Sequence, residues 1–196
     1  RQHRYRKLLV APTSLRTGIR QLIEREAVVG GRIIIKVNNL VDPEMIDSLY
    51  AASQAGAQID LIVRSMCSLR PGVPGLSDRI RVRSIVGRFL EHSRMFCFGG
   101  AQPEYYFGSS DLMPRNLDRR VEAVVPVTDA KLCERLAQIF ETLLADDVLA
   151  WELGPDGTWK HVTSVKGLNS QKRFQELALE SARGNGVVHG VPNARA

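Results

Sequence analysis

The sequence predicts an α/β fold: a mixed, largely parallel sheet with helices on its faces. Three observations carry this expectation. Short β-branched runs alternate with stretches whose apolar residues recur at helical spacing. The connections between them are brief. With 44% hydrophobic and 24% charged residues, the 196-residue chain can also bury a sizeable core. A β-α-β-α-β order with short joints lays successive strands in one direction, because each helix carries the chain back to the edge it left.

Residues 7–10 (K-L-L-V) read as a short strand, followed by a helix that opens at Thr13 or Ser14. Leu15, Ile19, Leu22 and Ile23 form its apolar face, and Gly30-Gly31 ends it. Residues 32–38 (R-I-I-I-K-V-N) are short and β-branched, hence a strand. Asp42-Pro43 starts the next helix, since Asp caps and Pro suits the first turn. Met45, Ile46, Leu49 and Tyr50 are its buried stripe and Gly56 its end. Residues 59–63 (I-D-L-I-V) are the next strand, and residues 71–75 (P-G-V-P-G) a loop. Strands follow at 80–86, 95–98, 105–108 and 121–127. Asp129 caps a helix bearing Leu132, Leu136, Ile139, Phe140, Leu143 and Leu144 on one face. Residues 149–153 and 159–162, joined by Gly154-Pro155-Asp156-Gly157, form a hairpin. From 166 the chain turns polar. The expectation is one domain over residues 1–165 and a loosely attached tail over 166–196, with a short helix at 174–179 and frayed final residues.

Charge narrows the function. The net charge is +6, but residues 64–120 hold ten arginines, no lysine and five acids, a local +5. A planar guanidinium grips phosphate oxygens in a fork that lysine cannot copy, so the bias points to a phosphate or polyanion site as well as to a solvated basic face. No apolar run reaches membrane-spanning length, and Cys67, Cys97 and Cys133 lack CxxC spacing. A reduced, cytoplasmic setting is expected, with peripheral membrane association allowed, and Cys67 and Cys97 are read as packed thiols. The first seven residues lack an initiator Met, as in a piece of a longer polypeptide.

Arg64 directly follows the 59–63 strand, where ligands gather in open α/β sheets. His92-x-Arg94 precedes a strand, and Gly108-Ser109-Ser110-Asp111 follows, then Arg115-Asn116 and Arg119-Arg120. Imidazole can attack phosphorus or protonate a leaving oxygen, a basic residue neutralises non-bridging oxygens, and hydroxyl or amide groups orient the phosphate. This layout resembles the phospholipase D superfamily's H-x-K and Gly-Ser-x-Asn motifs, with Arg94 in place of Lys and Asp111 in place of Asn.

A longer resemblance is more specific. Residues 37–42 (V-N-N-L-V-D), 49–53 (L-Y-A-A-S), 63–72 (V-R-S-M-C-S-L-R-P-G), 84–92 (S-I-V-G-R-F-L-E-H) and 115–122 (R-N-L-D-R-R-V-E) are similar, in order and spacing, to the last domain of the ATP-polyphosphate phosphotransferase (polyphosphate kinase) family. The resemblance implies a phospholipase D-like half-domain. It also implies an activity in which ATP phosphorylates a histidine of an upstream domain and the phosphate passes reversibly to inorganic polyphosphate. That histidine and the Mg²⁺ ligands would lie outside this chain, which is expected to hold no metal and to be inactive alone. Arg64 is implied as a phosphate contact, with Ser65 where the family has Gly, and His92 as a second essential histidine. Arg70, Arg88, Arg94, Arg119 and Arg120 are candidate polymer contacts, and Ser109 and Asn116 candidate phosphate contacts. Glu91 is expected to point away from the imidazole. ATP/ADP, polyphosphate, the upstream domains and a second copy are the expected partners, and nucleic acid is not. The alternatives are a non-catalytic polyanion-binding module and half of a phospholipase D-like phosphodiesterase.

Overall fold

The computed structural model describes residue 5 and residues 7–184. The other residues of the basic N-terminal run, and the final stretch expected to fray, lie outside the described residues. The elements are β1 (Leu9–Ala11), α1 (Leu15–Val29), β2 (Arg32–Val37), α2 (Pro43–Gln54), β3 (Gln58–Val63), β4 (Ile80–Ile85), β5 (Arg94–Phe98), β6 (Glu104–Gly108), α3 (Pro114–Asp118), β7 (Glu122–Val127), α4 (Ala130–Ala145), β8 (Ala150–Leu153), β9 (Trp159–His161) and α5 (Ser170–Gly184). The capping signals act as expected. Asp42 accepts the Met45 N–H at 3.0 Å, and Gly30 closes α1 in the left-handed conformation at φ 62°, which only glycine adopts without strain.

The strands form one sheet in the order β1-β7-β6-β5-β2-β3-β4-β8-β9. It is mixed, as expected, but its parallel part is confined to β2–β3–β4; the other pairings are antiparallel. "Largely parallel" therefore overstates the sheet. The crossover helix α2 joins the neighbours β2 and β3, whereas α1 and α4 join strands that are not neighbours in the sheet. The β5–β6 and β8–β9 connections are too short to return the chain to its starting edge, and such links force antiparallel pairing.

Alternation along the strands divides the core. Ile33, Ile35, Val37, Leu61, Val63, Phe96 and Phe98 face α1 and α2, and Ile34, Ile62, Ile85, Met95 and Cys97 face α4. The α4 stripe is less buried than its pattern implies: Phe140 and Leu143 are covered, whereas Leu132 is exposed. Arg83 of β4 holds the far end of α4, donating to the Leu144 carbonyl and bonding Glu152, a cation placed on a helix C-terminus. Arg16, in the first turn of α1, is chelated by the cap of α2 and the last residue of α3. Its guanidinium bonds both oxygens of Asp42 at 2.8 Å and both of Asp118, and these bonds raise its pKa further.

The polar segment beyond 165 is fastened where it begins. Asp147 accepts the backbone N–H groups of residues 165–168, and Asp146 accepts that of Ser170 at 2.7 Å. From there α5 runs from Ser170 to Gly184, longer than the helix expected at 174–179. Chain-order reasoning could not see this attachment, because both carboxylates lie about 20 residues upstream of what they hold.

The hydrogen bond from Lys166 N–H, with those of its neighbours, holds the Asp147 carboxyl at about 2. An unfolded Asp titrates near ~3.9, so this contribution is complete above about pH 4 and is lost as pH falls toward about 2. Protection against hydrogen exchange at residues 165–168, relative to the intrinsic rate at each pH, should fall over that window, and Asp147→Ala should lower it in the same way at neutral pH.

Candidate functional site

The C-terminal ends of β2, β3, β4 and β6 share one edge of the sheet with the N-terminal ends of β5 and β7. That edge gathers Arg64, His92, Arg94, Ser109, Asp111 and Glu122. At its centre is Asp111, 4% exposed. One oxygen accepts the Asn38 N–H at 2.8 Å, the Asn38 Nδ2 at 3.2 Å and the Arg94 Nε at 3.2 Å, and the other accepts the Asn39 Nδ2 at 3.0 Å. Burial alone would raise this carboxyl's pKa, but the bonds from Arg94, Asn39 and Asn38 outweigh it and hold the group below its usual range.

Two arms leave this carboxylate. Along one, Asn38 turns its Oδ1 outward to accept the Arg64 Nε at 2.8 Å. The terminal Nη groups of Arg64 have no hydrogen-bond partner among the described residues, so they face the edge free to grip an anion. Along the other, Arg94 Nη1 lies 2.9 Å from His92 Nδ1 and 3.1 Å from the His92 carbonyl. Guanidinium can only donate, so Nδ1 is the acceptor in this contact and the ring N–H is on Nε2. His92 is exposed and therefore presents an N–H donor to the edge.

The other candidates separate. Arg88 is exposed and lines a cavity of about 330 Å³ with Arg64 and the loop that connects β4 to β5. Its guanidinium sits 5.6 Å over the Phe89 ring. Arg94 is committed to Asp111 and His92, so it orients rather than presents. Arg70 is turned away, with Nε and Nη2 on the Pro155 carbonyl in the β8–β9 turn. Arg119 and Arg120 are exposed after α3, Arg120 within 4.0 Å of Glu122. Ser109 and Asn116 both donate to Glu122, Asn116 at 2.8 Å, and Asn116 is buried at 2% exposure. Asn116 is thus a strut below the edge. Cys67 and Cys97 are packed thiols, pushed by burial up to about 11.

Three groups at the edge gave no catalytic signal in the sequence. Lys36, in the apolar run of β2, is 1% exposed. Its ammonium donates to the Ser93 carbonyl at 3.2 Å and lies 3.4 Å from Glu91. Burial lowers its pKa, Arg64 and Arg94 lower it further, and Glu91 opposes them. Gln171 of α5 bonds both the N–H and the carbonyl of Phe89, and also Glu91 at 3.0 Å. Glu91 therefore points away from the imidazole, whose partner is Arg94. Asn38 was visible only as the end of a strand. A lysine inside R-I-I-I-K-V-N is the one local hint, because an unpaired ammonium would not be buried there.

The edge does not suit a divalent cation. Asp111 is occupied by Arg94, Asn38 and Asn39, and Glu122 by Ser109 and Asn116. Among the described residues, no cluster of three or more His, Cys, Asp or Glu could hold a metal ion.

Residues 8–174 match the family model described as polyphosphate kinase C-terminal domain 2, a match that runs past residue 165. The chain is 57% identical over 173 residues to a polyphosphate kinase of Thermosynechococcus vestitus, covering 85% of this chain and 24% of that protein. It is 50% identical over 190 residues to polyphosphate kinase 1 of Chlorobaculum tepidum, covering 93% and 27%. It thus spans about a quarter of the length of these curated relatives. Among solved structures, the polyphosphate kinase from Porphyromonas gingivalis superposes with a TM-score of 0.89 at 35% identity, covering 94% of this chain and 30% of that one. A phospholipase D family member, Nuc from Salmonella typhimurium, superposes at 0.54 and 16% identity over 69% of this chain and 90% of its own, which shows the shared fold.

Removing the central carboxylate takes the ion-pair partner from the part-buried Arg94 guanidinium and the acceptor from the Asn38 and Asn39 amides. Asp111→Ala should destabilise the protein by about 3 kcal/mol, and Asp111→Asn by less, in denaturant titrations.

Proposed function

From the premise that the chain belongs to the polyphosphate kinase C-terminal domain family, we propose that this domain forms one wall of a site where the γ-phosphate of ATP passes reversibly to inorganic polyphosphate. The observation that carries the reading is the Asp111 network, which fixes a free guanidinium edge and an imidazole N–H donor on the same sheet edge. The phosphate-accepting histidine and the residues that hold Mg²⁺ are assigned to upstream domains of the same polypeptide. The whole enzyme is expected in the cytoplasm and as an oligomer.

Phosphoryl transfer asks for in-line positioning and neutralisation of charge on the phosphate oxygens. Arg64 is suited to the second task, with its Nε tied to Asn38 and its Nη groups open. His92 is suited to stabilising the leaving oxygen, because charge builds there in the transition state and a fixed N–H can meet it. The exposed Arg88, Arg119 and Arg120 supply counter-charge for the polymer. Arg94 acts through His92, and Arg70 and Asn116 have structural duties.

The imidazole tautomer argues against the phosphodiesterase alternative. A histidine that attacks phosphorus needs a lone pair on Nε2, and the Arg94 bond to Nδ1 keeps the proton there. A passive polyanion-binding module would in turn have no use for one oriented imidazole.

In the full-length protein, His92→Ala should lower ATP-dependent polyphosphate synthesis at least about 100-fold while polyphosphate binding persists. Arg64→Lys should raise the KM for ATP, because the bidentate fork is lost. Near-normal synthesis by His92→Ala would defeat the assignment.

A further inference from the structure

The loop between β4 and β5 poses a mechanical problem. It carries His92, yet its apolar side chains point into solvent, with Val86 58% and Leu90 69% exposed. Its own packing cannot hold a catalytic ring in place. Beyond a backbone bond from Val86 to Leu149, the polar anchors from outside the loop are Arg94 and the side chains of Lys36 and Gln171.

We infer that Lys36 and Gln171 are positioning residues for His92, and that the segment leading into α5 serves as a strap on the catalytic loop. The inference rests on the proposed function for its kinetic consequences and on geometry for its existence. Gln171 is 6% exposed and pairs with Phe89 as a strand would, accepting from its N–H at 3.0 Å and donating to its carbonyl at 2.8 Å. It also donates to Glu91, whose second oxygen faces Lys36 at 3.4 Å. Lys36 then reaches past His92 to the Ser93 carbonyl. The residues on both sides of His92 are thus pinned from below the sheet edge and from α5, and the ring itself is pinned by Arg94.

The fit at Gln171 is close. A Cβ on Gly87 would lie 2.5 Å from the Gln171 oxygen and 2.8 Å from a Leu149 methyl, so a side chain there would have to displace the Gln171 amide or the Leu149 side chain. The strap is also set firmly, since Asp147 and Asp146 bind residues 165–168 and 170 just before it. The pinning runs from the end of α4 through the strap to the catalytic loop.

The test uses the full-length protein with Gln171→Ala, Gln171→Glu and Lys36→Met, read by hydrogen exchange and by steady-state kinetics. In both Gln171 variants, exchange should rise at residues 87–91. The kcat for polyphosphate synthesis should fall about 10- to 100-fold, with the KM for ATP and for polyphosphate changed less than twofold, because the ring is displaced while the phosphate grips remain. Gln171→Glu keeps the acceptor for Phe89 but loses both donors and sets a carboxylate against Glu91, so it should be at least as impaired as Gln171→Ala. Lys36→Met should match them. If it fails to fold, Gln171 at the helix end decides the matter alone. Folded Gln171→Ala with unchanged exchange and unchanged kcat would overturn the inference. Full-length wild type that makes no polyphosphate would instead overturn the functional reading, whatever the exchange shows.

Discussion

The candidate site hangs on one buried carboxylate. Asp111 is shielded from water, and a charge so placed is tolerable only where donors surround it. The donors it has collected are the Asn38 backbone, two asparagine side chains and the Arg94 guanidinium. Each also belongs to another strand end or loop. Neutralising one charge therefore sets the relative placement of β2, β5 and the turn after β6. Arg64 and His92, 28 positions apart in the chain, are oriented by the same ion.

That dependence explains how the arginine-rich segment divides its labour. A local excess of guanidinium looks like a polyanion surface, yet several of its members are internal fasteners. Arg81 meets Asp60, Arg83 caps α4, Arg94 meets Asp111 and Arg70 ties down the β8–β9 turn. Arg64 and Arg88 line a shared cavity, and Arg119 and Arg120 remain exposed. Arginine suits both duties for one reason: its donors are fixed in a plane, so a fork can close on a carboxylate inside the fold or on a phosphate outside it.

The helices, the strands and their approximate limits were legible because apolar periodicity and caps are local signals. Asp42 and Gly30 do what their residue types announce. The proportion of parallel pairing was not legible, since it depends on which later strands add beside β2 and β4. The five-residue α3 is too short to show a period. Arg64 was singled out by its place after a strand, His92 by motif spacing and both by the longer resemblance, but the partners that orient them were hidden. Arg94 as the imidazole's partner needs a side-chain direction, and Gln171 lies about 80 residues from the loop it binds. Lys36 sits in a run that otherwise reads as plain core, because its partner Glu91 is 55 positions away. Long-range polar pairing has no sequence period.

The function proposed for His92 needs an exposed ring, and exposure deprives it of the packing that fixes core side chains. The fold replaces packing with polar contacts whose other ends are buried: Arg94 on Asp111, Lys36 on Glu91, and Gln171 on the Phe89 backbone. An amide or ammonium held away from water has no solvent to bond when its partner leaves, so opening such a contact costs more than at the surface. The same buried polar groups that are costly to fold around thus hold an exposed ring still. A site built this way needs little apolar contact with its own loop, so the exposed face of residues 86–90 is left uncommitted by catalytic positioning.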